Sequence, residues 1–140
     1  MSDNKCMAKY KILNVEGDAK TSKGSAWGIL TAIVYFAPAK QADGVHDMCP
    51  FRSKQCTKVC LNSSGRAGIF PSIQRARVNK TLWYLSDRAG FVEALRSDIR
   101  KLIKAAAARE MQPACRINGT SDQPQLALQM APRVSRSSVL

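Results

Sequence analysis

WGILTAIVYF, Trp27 to Phe36, decides the fold, because it is rich in β-branched and aromatic residues and ends just before Pro38. A run of this kind, near-continuously apolar rather than apolar at alternate positions, reads as a central strand buried on both faces. Upstream, KYKILNV (Lys9–Val15) reads as a short strand closed by the turn-like Glu16–Gly17–Asp18. Between the two strands lies DAKTSKGSAWG. It carries Lys20, Thr21, Lys23 and glycines, but not the G-x-x-x-x-G-K-[ST] order of a phosphate loop, and it reads as a flexible polar connector.

Downstream, the loop Ala39–Asp47 delivers the chain to MCPFRSKQCTKVCLNSSGRAGIF, Met48 to Phe70. Three of the five cysteines fall there, Cys49, Cys56 and Cys60, spaced C-x6-C-x3-C. Thiolates suit zinc or an iron–sulfur cluster. A lone cysteine is ordinarily a small core residue, but three in one basic loop fit that reading poorly. Cys56 and Cys60 are four apart, so a helical turn from Cys56 would put both sulfurs on one face. His46, the only histidine, stands three residues before Cys49 and is either a fourth ligand or a solvated loop residue.

The chain carries 22 Lys+Arg against 10 Asp+Glu, a formal net charge of +12. Most of the excess lies between Arg52 and Arg109, with thirteen basic and three acidic residues, and Arg52–Lys80 contains no acid at all. Such a field favours nucleic acid or an anionic small molecule. Otherwise it is a solvated helix face. The N-terminus lacks a hydrophobic core and cleavage site, so it is not a secretory signal. Trp27–Ala37, the longest apolar run, is too short to span a bilayer. A cytoplasmic protein with no membrane association is expected, and an odd cysteine count argues against a disulfide framework.

After the cysteines, Pro71 begins a helix, IQRARVNKTLWYL, with Ile73, Val78, Leu82 and Leu85 toward a core. Arg75, Arg77 and Lys80 remain wet or meet an anion. Ser86 or Asp87 caps a second helix running to about Glu110, with Phe91, Val92, Leu95, Ile99, Leu102, Ile103 and Ala106 as its apolar stripe. Ala114–Ile117 reads as a strand breaking into Asn118–Asp122, and α/β folds place binding groups at such strand ends. Arg116 and Asp122 are equally well an ion pair beside a turn. Gln123–Ala131 starts another helix. The pattern predicts an α/β fold, a partial β/α-barrel-like domain in which an incomplete parallel sheet is packed with helices. The expected boundaries are a flexible N-terminus at 1–8, a single domain at 9–131 and a disordered tail at 132–140. An open sheet edge in such a fold invites self-association.

DAKTSKGSAWG, YFAPA, CPFRSKQCTKVCLNSSGRAG, QRARVNKTLWYL and PACRINGTSD together resemble a family of bacteriophage and prophage proteins related to the gene product 88 domain. The resemblance covers roughly Tyr10 to Ala131. It implies a β/α-barrel with a three-cysteine site similar to that of radical S-adenosylmethionine enzymes, although their spacing is C-x3-C-x2-C. On that resemblance Cys49, Cys56 and Cys60 are the ligands, and Arg116, Asn118 and Asp122 line a cofactor pocket. The family pattern stops near Ala131, so Pro132–Leu140 reads as a truncated or out-of-frame end.

Two function classes follow. One is a metal-dependent enzyme or enzyme fragment, with an iron–sulfur cluster or zinc and S-adenosylmethionine as a candidate cofactor. The other is a zinc-stabilised nucleic-acid-binding protein that grips phosphates through Arg75, Arg77 and Lys80.

Overall fold

The computed structural model describes residues 11–130. The expected flexible N-terminus and disordered tail, and Cys6, lie outside the described residues.

Strand β1 (Leu13–Val15), strand β2 (Ile29–Val34) and strand β3 (Gln112–Arg116) form one sheet in the order β1-β2-β3. The α/β class is as the sequence predicts. The sheet, however, is mixed rather than parallel: β1 runs antiparallel to β2, with Leu13 opposite Val34, and β3 runs parallel to it, with Ile29 opposite Gln112. Connection length explains the difference. The short segment after β1 folds the chain straight back, whereas everything from Tyr35 to Met111 serves as the crossover a parallel pair needs. Repeated βα units closing toward a barrel are not present among the described residues.

The segment between β1 and β2 is a capped helical turn rather than a loose connector. Helix α1 (Ala19–Ser22) starts at Asp18, whose carboxylate accepts from the Lys20 and Thr21 amides at 2.9 and 3.0 Å. The Thr21 hydroxyl accepts in return from the Asp18 amide, completing a capping box. A 3-10 turn (Lys23–Trp27) follows and is closed by Gly28 at φ +72°, the left-handed region that favours glycine. Trp27 therefore sits outside the strand expected to begin there, and is 83% exposed.

Beyond β2 come helix α2 (Lys54–Lys58), a 3-10 turn (Leu61–Ser63) and helix α3 (Gly65–Ile69). The two long helices are α4 (Pro71–Ser86) and α5 (Arg88–Ala108), and helix α6 (Pro124–Met130) closes the described chain. Asp87 caps α5 by accepting from the Gly90 amide at 3.0 Å. The stripe read from sequence packs against one face of the sheet: Phe91, Val92, Leu95, Leu102 and Ala106 join Leu30, Ala32, Val34 and Phe36 in the core. Ile103, at the rim of that stripe, is instead 49% exposed. Phe36, Tyr84 and Phe91 form an aromatic cluster with centroids 5.4–5.5 Å apart.

Helix α4 turns a different face inward from the one expected. Its buried positions are Arg77, Lys80, Thr81 and Tyr84, while Ile73, Val78, Leu82 and Leu85 are only half-buried. The cause is where it docks: the Thr81 hydroxyl accepts from the Ala37 amide at 2.8 Å, just past the end of β2, and donates to the Arg77 carbonyl at 2.8 Å. The polar stripe is thereby pressed against the strand ends.

On the outer edge of β3 the Gln112 amide donates inward to Gly28, so strand alternation turns positions 113 and 115 outward. Pro113 has no N–H to offer there, which blunts the edge against strand addition.

Phe91 is fully buried and Phe51 is 79% exposed. Phe91→Ala should therefore cost about 3–5 kcal/mol in urea unfolding, and Phe51→Ala less than about 0.5 kcal/mol.

Candidate functional site

The cysteine stretch does not assemble one centre. Cys49 is 8% exposed; its sulfur accepts from the Ala39 amide at 3.4 Å and lies 4.0 Å from the Thr120 carbonyl. Cys56 is exposed on α2, which ends at Lys58, and Val59 turns the backbone out of the helix. Cys60 consequently leaves the face that a continued helix would have shared with Cys56, and is half-buried before the next 3-10 turn. His46 is exposed and bonded to Asp43 at 2.6 Å; that bond, with the Val45 and His46 amides, holds the Asp43 carboxyl at about 2. Among the described residues no three His, Cys, Asp or Glu side chains come together as a metal would require. In this arrangement the donors fit neither zinc nor a cluster. What does order the loop is Arg52, which bonds the Asp47 carboxylate, the Cys49 carbonyl and the Thr57 hydroxyl.

The loop after β3 lies at the carboxyl ends of the strands, as expected, but builds itself rather than a pocket. Asn118 is its hub: its side-chain oxygen accepts from the Ser121 hydroxyl at 3.0 Å and the Gln123 amide at 3.2 Å. Arg116 is exposed and donates to the Asn118 carbonyl at 2.9 Å. Asp122 is exposed, and its amide donates to the Met48 carbonyl at 3.0 Å. Gly119 packs so tightly that a Cβ would stand 2.5 Å from the Tyr35 ring. None of Arg116, Asn118 and Asp122 lines the neighbouring cleft, and Arg116 and Asp122 do not form an ion pair.

That cleft, about 360 Å³, opens between β1, the Gly17–Asp18 turn, Tyr35 and helices α3 and α4. Lys11, Arg66, Arg77 and Lys80 line it, with Asp18 as its one carboxylate among the described residues. Tyr35 donates to Asp18 at 2.5 Å. Burial pushes the Asp18 carboxyl up, but the bonds from Tyr35, Thr21 and Lys20 outweigh it and hold the group below its ordinary value. Burial, then the bond to Asp18, pushes the Tyr35 phenol well up.

The Arg77 guanidinium lies over the Tyr35 ring, 4.7 Å from its centroid, a cation–π geometry. One of its terminal nitrogens donates to the Asn62 side chain. Asn62 is itself clamped, donating to Gln41 at 2.9 Å and Gln74 at 2.7 Å, while Gln74 donates back to the Asn62 and Ala67 carbonyls. The guanidinium is thus held by the Tyr35 ring and Asn62, yet its buried Nε has no partner among the described residues. Lys80, one turn along, is 7% exposed, and its nearest described acceptor is the Ile12 carbonyl at 3.5 Å. Burial and the Arg77 charge push its ammonium down to about 8. Arg77 and Lys80, expected to stay wet or meet an anion, are therefore walls of the cleft, whereas Arg75 is exposed and takes no part in it.

Asp18, Tyr35 and Asn62 went unread in the sequence. The D-x-x-T spacing that makes a capping box was a usable signal for Asp18, but nothing local marks Asn62 as the support of an arginine fifteen residues on.

The profile of the gene product 88 family matches residues 8–137, and the chain belongs to that family. No curated protein and no solved structure matches the chain. No helix among the described residues is long and apolar enough to cross a membrane.

Thiol mapping checks the cysteine geometry. With iodoacetamide, Cys56 should react first, Cys60 next, and Cys49 last together with Cys115, whose thiol burial pushes up to about 11. Zinc that protected Cys49, Cys56 and Cys60 together would show that the loop rearranges into a single site.

A second prediction concerns pH. The folded Lys80 pKa lies below its ordinary value, so the unfolded chain binds the extra proton. Stability relative to a Lys80→Met variant should therefore rise between about pH 8 and the ordinary lysine range, by no more than about 3 kcal/mol. A flat difference across that window would mean that Lys80 is solvated.

Proposed function

We propose that this member of the gene product 88 family binds a small anionic ligand, a molecule bearing a phosphate or carboxylate, in the cleft walled by Arg77 and Lys80. The observation that carries the reading is Arg77: a guanidinium held on one bearing by Tyr35 and Asn62, with a buried Nε that has no partner among the described residues. A buried donor left unpaired is costly, and a charged donor more so, so a fold that keeps one supplies its partner from elsewhere. Asp18 does not fill that need, because its oxygens already accept from Tyr35 and from the first turn of α1. Rigid positioning of the arginine also lowers the entropy lost when an anion docks.

A small anion suits the site better than a nucleic-acid duplex. Phosphates along a duplex are met by exposed cations on an open face, whereas Arg77 and Lys80 are buried and Arg75 points away from their cleft. The iron–sulfur or zinc reading, with S-adenosylmethionine, has less behind it, since the three sulfurs occupy three separate environments. A cytoplasmic location in a bacterial host remains part of the proposal, consistent with four free thiols among the described residues.

Calorimetry with inorganic pyrophosphate tests the reading. Wild-type protein should bind it, Arg77→Gln should weaken binding at least about tenfold, as loss of a charged hydrogen bond does, and Arg75→Gln should change nothing. Thermal unfolding of each variant confirms that it is folded, and Arg77→Lys retains the charge while losing the fork. Binding unaffected by Arg77→Gln, or no binding by the wild type, would overturn the proposal.

A further inference from the structure

Lys80 does not resemble a lysine placed only for its charge. Rim cations such as Lys11 and Arg66 are exposed and serve that purpose from solvent. Lys80 is buried, lines the same cleft, and has no carboxylate within ion-pair distance among the described residues. The groups facing the cleft around it are Arg77 from its own helix, Arg66 from α3, Lys11 beside β1, and the Asp18–Tyr35 pair. Burial first, and the Arg77 charge beside it, disfavour the ammonium form. Its fall to about 8 leaves a usable fraction of free amine near neutrality. An amine that sheds its proton so readily is a poor electrostatic grip and a good nucleophile.

Resting on the anion reading of this cleft, we infer that Lys80 is a nucleophilic amine that forms an imine with an anionic carbonyl compound, an aldehyde or keto acid whose phosphate or carboxylate is held by Arg77. Arg77 and Lys80 are one helical turn apart and face the same space, so one ligand can meet both. The nitrogen lone pair adds to the carbonyl carbon, and the carbonyl oxygen takes up a proton to give the carbinolamine. The C–O bond then breaks as the C=N bond forms, and the oxygen leaves as water with the two amine protons. No oxidant or reductant is consumed.

Pyridoxal 5′-phosphate is a suitable probe, being an aldehyde with a phosphate, and pyridoxal is its uncharged-tail control. After borohydride reduction and peptide mass mapping of wild-type protein, Lys80 should carry the phosphate-bearing adduct at about ten times the level of exposed lysines such as Lys23 or Lys101. Pyrophosphate should compete, pyridoxal should label Lys80 less, and the yield should climb through about pH 8. Lys80→Arg should lose the dominant adduct. Adducts spread evenly over the exposed lysines, or absent from Lys80, would overturn the inference. The two readings fail separately. Pyrophosphate bound without a Lys80 adduct removes the nucleophile and leaves the anion cleft standing, whereas no pyrophosphate binding removes both.

Discussion

The Thr81 hydroxyl, fully buried between the Ala37 amide and the Arg77 carbonyl, fixes which side of α4 meets the sheet. Helices usually bury their apolar stripe, and α4 has apolar positions on another face that remain half-exposed. Docking through Thr81 presses Arg77 and Lys80 inward with it, at the carboxyl end of the central strand. The helix recovers its apolar burial farther along, where Tyr84 stacks with Phe36 and Phe91. Local amphipathicity at one end of α4 is thus given up for a charged, enclosed face.

The cysteine stretch acquires a structural meaning from the same arrangement. It is the segment that brings Asn62 under Arg77, with Gln41 and Gln74 closing around the amide. Arg52 secures the earlier half of the stretch to Asp47 and the backbone. Sulfur chemistry is not needed to explain why the loop is ordered; hydrogen bonds from polar residues between and beyond the cysteines suffice.

Legibility from sequence followed the range of the forces involved. Helix α5 was readable almost to its ends, because its cap at Asp87 and its stripe from Phe91 to Ala106 are local signals. Strand β2 was readable as the central strand, but Gly28 trimmed its start, and one of its faces is only half-buried at Ile29 and Thr31. The antiparallel pairing of β1 depended on a capping box overlooked in a segment rich in glycine and lysine. At the site, charge alone singled out Arg77 and Lys80, yet their burial depended on Thr81 and on an asparagine fifteen positions away. Arg116, Asn118 and Asp122 lay at strand ends as read, but there Asn118 is occupied in holding its own turn together.

The claim that an anion completes the coordination of Arg77 is most directly tested by the arginine Nε–H resonance of nitrogen-15-labelled protein during titration with pyrophosphate. The Arg77 Nε–H signal should shift saturably, together with the amides of Asn14 and Gly17 across the cleft. An unmoved Arg77 signal, with shifts scattered instead over the exposed cations of α5 such as Lys101 and Lys104, would contradict it.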